Sequence, residues 1–376
     1  MHGEILLDAC RVEPAPYPTY ENTDWPALLD AAEYHAVTPL LARRLGANPH
    51  EVPPRVLETL RARYDANALR NVVLTRTLAE ILQHLGASAV DAMPIKGPAL
   101  AIAAYGDLAL REFGDLDIVV RPEKFDRARE LLHELGYRPL TPLTGEGERV
   151  LRGTDHHMPL VHEESRVMVE LHWSLDNGRP GRYLDADWVW SNARTVSLLG
   201  RELPALSWSA LLVYLCVHGA KHGWTSLGWI RDVAGVVATA PDGELAMAAP
   251  LAAAADARRR LALGVTLARS LLAAPERGDL AVNAGDAVAR LERDVRARLF
   301  DSTERTRGEW VAFQCRTFDA ARDRVGYLWH IVAAPHVADV QSVALPRWLR
   351  WLYFLLRPAR LAAERASALL GARSRS

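Results

Sequence analysis

The hydrophobic period changes twice along this chain, and that limits what it can fold into. Up to about residue 86, apolar residues recur at helical spacing. "WPALLDAAEYHAVTPLLARRL" reads as helix broken near Pro39, and "PRVLETLRARYDANALRNVVLTRTLAEILQHLG" as a long helix closing near Gly86. Between 87 and 175, short alternating stretches take over. "AVDAMPI", "DLDIVV" and the two halves of "HHMPLVHEESRVMVELHW", joined at "EESR", read as strands. "PALAIAAY", with Pro98 in its first turn, and "PEKFDRARELLHELG", between Pro122 and Gly136, read as helices. Residues 176–206 read as loop-rich, with "DNGRPG" as a turn. From Ser207 helical spacing returns, in "SALLVYLCVHGAKHGW", "LGWIRDVAGVVA", the run 244–274, the run 283–300 and one long helix over 308–332. The expected fold class is α+β. A mixed-sheet core at 87–206 lies between an N-terminal helical segment, 1–86, and a C-terminal helical domain, 207–376.

Within the core, strand parity gathers charge. Side chains at i and i+2 of a strand share a face, so Asp115 and Asp117 project together while Leu116 and Ile118 point into the core. In "VMVELHW" the same rule puts Glu170 and His172 on one face. If the two strands pair, about 4.8 Å apart, Glu170 completes a three-carboxylate cluster. Like charges so close repel unless a cation or a proton intervenes, and oxygen-rich sites suit Mg²⁺ or Mn²⁺. Such a cluster fits two ions roughly 3.5–4 Å apart, the spacing used in phosphoryl displacement. Ahead of it, "IKGPAL" sets a strand end and the Lys96-Gly97 step before a helix N-terminus, whose free N–H groups attract phosphate.

Composition narrows the rest. A net charge of −1 gives no global drive toward nucleic acid or anionic membrane. Cys10, Cys216 and Cys315 form no CxxC pair, so a cytoplasmic protein with reduced thiols is expected. No secretory leader and no run long enough to span a membrane is read. Of 45 basic residues, the lysines are Lys96, Lys124 and Lys221. A lysine kept in so arginine-rich a chain favours a role for a compact ammonium, and Lys96 and Lys221 fall in the two densest motif regions.

The order of strand, Gly turn, helix, "R…DLD" strand, helix and "VELHW" strand resembles the DNA polymerase β-like nucleotidyltransferase superfamily. More narrowly it resembles the family of uncharacterised nucleotidyltransferases, over about residues 24 to 240. That resemblance implies a minimal nucleotidyltransferase sheet. It implies Asp115, Asp117 and Glu170 as catalytic and metal-binding residues, with Mg²⁺ or Mn²⁺ and a nucleoside triphosphate as co-substrate. Lys96, Gly97, Arg111 and Lys221 take nucleotide-binding places. The expected reaction is transfer of a nucleoside monophosphate, AMP by default, to an acceptor hydroxyl or phosphate with release of pyrophosphate. The acceptor is open among a small molecule, a peptide, a protein and a tRNA. In one respect the chain departs from the superfamily. The phosphate turn, commonly Gly-Gly or Gly-Ser, reads Lys96-Gly97-Pro98, without a hydroxyl and without an N–H at Pro98. The alternative reading is therefore a catalytically degenerate protein of this fold that binds a nucleotide or a partner.

Lesser features have plainer readings. His218, Lys221 and His222 share a helix face; with His172, the two histidines are read as substrate contacts. A structural reading of that face pairs it with Asp232 on the next helix. His156, His157, His162 and His172 have no familiar zinc spacing, although a histidine-based metal hydrolase is a third reading. Trp173 is read as core. "LPRWLRWLYFLLRPAR" (345–360) is a basic, aromatic-rich helix, expected to pack on its own domain rather than touch a membrane.

Overall fold

The computed structural model describes residues 2–13, 15–143, 145–176, 184–198, 200–301, 305–343, 345 and 347–361. Helices α1 (His2–Cys10), α2 (Trp25–Tyr34), α3 (Thr38–Gly46) and α4 (Pro54–Ala87) come first. Asp24 caps α2 through the Ala27 N–H, and Pro39 stands in the first turn of α3, where its missing N–H costs nothing. The core then runs β1 (Ala92–Pro94), α5 (Gly97–Tyr105), β2 (Asp115–Val120), α6 (Phe125–Glu134), β3 (Tyr137–Pro139), α7 (Gly145–Thr154), β4 (His157–His162) and β5 (Met168–His172).

These strands make one mixed sheet in the order β1-β2-β5-β4-β3. Strands β2 and β5 are parallel; the other pairings are antiparallel. Leu116, Ile118 and Val120 of β2 and Val169 and Leu171 of β5 pack with Leu78, Ile81 and Leu85 of α4 and with Phe125 and Leu131 of α6. Trp173 meets Phe125 edge-on, ring centres 5.0 Å apart. Val119 belongs to the opposite face and to a second apolar cluster, which holds Ile5, Leu6, Leu41 and Leu45 from the N-terminal helices. The same cluster contains residues of α9 (Trp208–Lys221), α10 (Leu227–Thr239) and α12 (Arg258–Leu272), with α11 (Ala248–Ala254) between the last two. Val12 N–H donates to the Leu272 carbonyl at 3.1 Å, tying the first helix to the end of α12. Gly235 lets α10 lie directly on α5: a Cβ there would overlap the Ala104 carbonyl and methyl.

Three sequence expectations change. Residues 184–206 are not a loop: they contain α8 (Ala186–Ser191), capped by Asp185, and a hairpin of β6 (Ala193–Leu198) with β7 (Arg201–Leu206). The "DNGRPG" turn falls, from residue 177 on, outside the described residues. After α13 (Asp286–Arg298), the expected helix over 308–332 is two, α14 (Arg307–Thr317) and α15 (Ala321–Val332). The break has a cause: α12 has no side-chain cap of its own, and Asp319 accepts its first N–H groups, Arg258 at 2.7 Å and Arg259 at 2.9 Å.

Helix α16 (Val337–Ser342) precedes a 3₁₀ turn at Arg347–Leu352 and a helix reaching residue 361. Tyr353 is buried there and Arg357 pairs with Asp339, but Trp348 and Trp351 are exposed, against the packing expected of them. No helix among the described residues is long and apolar enough to cross a membrane.

Candidate active site

The register of β2 against β5 sets the site. Asp117 lies directly beside Glu170, with Ile118 beside Leu171 and Val119 beside His172. Since Leu116, Ile118, Val169 and Leu171 fill the core under α4 and α6, the acidic residues face the other way, into a cavity of about 360 Å³ closed by α9. Asp115, Asp117, Glu170, Lys96, Gly97, Arg111, Lys221, His172, His218 and His222 all line it. Helix α9 delivers the last group because it is buried along most of its length and its polar end emerges at the cavity. Gln314 of α14 anchors that end, donating to the Ala220 and Lys221 carbonyls at 2.9 and 3.1 Å.

Asp117 is the electrostatic centre. Lys96 Nζ stands 3.0 Å and His172 Nε2 3.2 Å from its Oδ1. Burial raises its pKa, but the Lys96 ammonium and the His172 ring outweigh burial and hold the carboxyl well below the usual range. Burial lowers Lys96 and His172, yet Asp117 keeps the ammonium charged and, with Glu170, raises the imidazole. Burial likewise pushes Glu170 up, and His172, 3.3 Å from its Oε2, pulls it below normal. Asp115 goes the other way: burial and then the Asp117 charge raise it.

The nucleotide-binding expectations meet specific geometry. Gly97 takes φ +55° at the start of α5, a conformation that glycine adopts freely. Lys96, just before it, is committed to Asp117. Arg111 is braced from behind: its Nε and Nη2 donate to both oxygens of Asp232 at 2.9 and 3.0 Å, and Tyr105 donates to the same carboxylate at 2.7 Å. Asp232 thus serves Arg111 rather than the histidine face of α9. Nη1 of Arg111 has no hydrogen-bond partner among the described residues. Asn71 of α4, fully buried, fixes the approach to β2 by donating to the Leu108 and Arg111 carbonyls at 2.6 and 2.8 Å.

Sequence reasoning passed over several residues at this place. Tyr214, on the same face of α9 as His218 and Lys221, lines the cavity, as do Asp176, Trp229 and Gln314. His156 and His157 also line it, although their spacing signals no metal pair. A usable signal existed: the "EESR" turn with His162 opposite Val167 sets a register that ends with His157 facing His172. Asp155 backs both, its Oδ1 at 2.8 Å from His156 Nδ1 and 3.5 Å from His157 Nδ1.

The donor set fits a divalent cation. Asp117, Glu170 and His172 offer ligand atoms within 4.8 Å of one another, and Asp115 adjoins them on the same face. A cation there would offset the repulsion that raises Asp115.

A mixed sheet that sets two aspartates of one strand beside a glutamate of its parallel neighbour, under a helical layer, is the nucleotidyltransferase type of α+β fold. The chain belongs to the uncharacterised nucleotidyltransferase family, matched over residues 21–273. Among solved structures it is similar to the antibiotic-resistance factor ANT(2″)-Ia in solution, at 14% identity over 49% of this chain and 91% of that one, TM-score 0.36. It is also similar to a nucleotidyltransferase-like antigenic protein from Paracoccidioides brasiliensis, at 17% identity over 54% and 94%, TM-score 0.35. A comparison with curated proteins finds no match.

Proposed function

We propose that this protein transfers a nucleoside monophosphate, AMP by default, from a Mg²⁺- or Mn²⁺-bound nucleoside triphosphate to an acceptor oxygen. The observation that carries this is the register pairing of Asp117 with Glu170 inside a cavity that also holds Asp115. In this reading the working core is 87–206, between helical segments 1–86 and 207–376. Asp115, Asp117 and Glu170 hold the metal, which when bound stabilises charge on the α-phosphate and the leaving group. Glu170, kept ionised by His172, takes the proton of the acceptor hydroxyl. The acceptor oxygen bonds to the α-phosphorus as the bond to the bridging oxygen breaks, and pyrophosphate leaves. Lys96 and Lys221 flank the phosphates, and Arg111, held rigid by Asp232, presents Nη1. His172, His218 and His222 contact substrate. Positioning and fixed charge supply most of the rate. The acceptor class is a small molecule, a peptide, a protein or a tRNA, and the compartment the cytoplasm.

A second reading, nucleotide or partner binding without chemistry, is favoured by one observation: Lys96 already neutralises Asp117, beside a turn whose Pro98 offers no N–H. The test is incubation with each α-labelled NTP, Mg²⁺ or Mn²⁺, and cell extract. Label moving to an acceptor, and failing to move with Asp117→Asn, supports transfer. NTP binding without any label transfer supports the second reading, and neither binding nor transfer overturns both.

A further inference from the structure

Beside the carboxylate group stands a second, nitrogen-rich cluster. His156, His157 and His172 each offer a ring nitrogen, all within 4.8 Å of one another. Their ring centres are 4.6, 4.9 and 5.6 Å apart, close enough for one ion to touch all three. The hairpin produces this arrangement, since His157 and His172 are directly opposed in β4 and β5 and His156 is the residue before β4. His156 and His172 are almost fully buried. The Nδ1 atoms of all three are buried. Asp155 stands on the Nδ1 side of His156 and His157, while Glu170 faces the Nε2 atoms of His157 and His172, so the Nε2 atoms are the ones an ion would meet. Asp155 lies at 2.8 Å from His156 Nδ1, the place a carboxylate takes behind a metal-binding imidazole. Lys221 Nζ, 3.2 Å from His156 Nε2, competes for that nitrogen.

We propose that His156, His157 and His172 form a site for one divalent transition metal of the zinc or cobalt class, set apart by its imidazole ligands from the oxygen-ligated Mg²⁺ of the proposed reaction, with His172 common to both donor groups. Imidazole ligands select such ions, whereas carboxylates alone select Mg²⁺. Glu170, whose Oε1 is 3.6 Å from His157 Nε2 and whose Oε2 is 3.3 Å from His172 Nε2, is the oxygen ligand nearest this group. The site goes beyond nucleotidyl transfer and does not rest on it.

The probe is cobalt(II) chloride alone, titrated into the metal-stripped full chain without nucleotide and followed by visible absorption and calorimetry. One equivalent should bind with ligand-field bands of imidazole coordination, and about a hundredfold excess of Mg²⁺ should not displace it. His156→Ala and His157→Ala should each remove the bands. Asp155→Asn should weaken binding about 10- to 100-fold. Circular dichroism melts confirm that each variant is folded, and His157→Gln replaces any that is not. Folded wild-type protein that binds no cobalt overturns the proposal, as does binding indifferent to both histidine changes or displaced by Mg²⁺. Label transfer with Mg²⁺ is scored separately, so either conclusion can fall without the other.

Discussion

Asp117 and Lys96 form an ion pair with 2% and 14% of their side chains exposed, so loss of one charge strands the other. Lys96→Met should cost about 3 kcal/mol in urea unfolding, at the low end for a broken buried pair because His172 still faces Asp117. In the same variant Mg²⁺ should restore more stability than in wild type, since it replaces the missing cation. Asp115→Asn should lower nucleotidyl transfer by more than the roughly 10- to 100-fold typical of outer-sphere changes, while its melting temperature rises or stays level, because burial and Asp117 disfavour its charge. At this scale the sequence was readable where parity alone decides, as for Asp115, Asp117, Glu170 and His172. It was opaque where a partner comes from afar. Nothing near Arg111 announces Asp232, and nothing near Asp155 announces that it backs two histidines.

Among the elements, helices with a one-sided apolar stripe were legible, as in α6, where Phe125, Ala128, Leu131 and Leu132 are buried. The misread places were decided by tertiary demand. Asp319 breaks 308–332 because α12 needs a cap from elsewhere. The β6–β7 hairpin was hidden because the alternating residues of β6 are at most half-buried, burial in β7 reaches only Ala205 and Leu206 at its end, and a turn-rich stretch precedes it. The contact of α10 with α5 is as demanding. Gly235→Ala should lower stability by about 1–3 kcal/mol through overpacking against Ala104, seen as a lower urea midpoint with an unchanged slope.

For the molecule as a whole, buried histidines set the response to acid. Burial lowers His35 and His222 to about 4 and His156 to about 3, from an ordinary 6.5, and lowers His218 as well. A site neutral when folded but protonated when unfolded stabilises the fold above 6.5 and loses that contribution as pH falls toward 4. His172, raised by Asp117 and Glu170, has the opposite sign, its contribution fading as pH rises through its folded value. The lowered histidines outnumber it, so thermal melts should show stability falling steadily from about pH 6.5 to about pH 4. Flat melts across that window would contradict the burial of these rings.

The Val12–Leu272 hydrogen bond and the cluster joining Ile5, Leu6 and Leu45 to α9, α10 and α12 bear on how the chain is made. Synthesis runs from the N-terminus at about 5–20 residues per second. Helices α1 to α3 therefore leave the ribosome well before α12 exists to cover them. For that interval the part of their apolar surface that α9, α10 and α12 cover has no native partner, and a nascent chain paused before residue 272 is exposed there to chaperones and to aggregation.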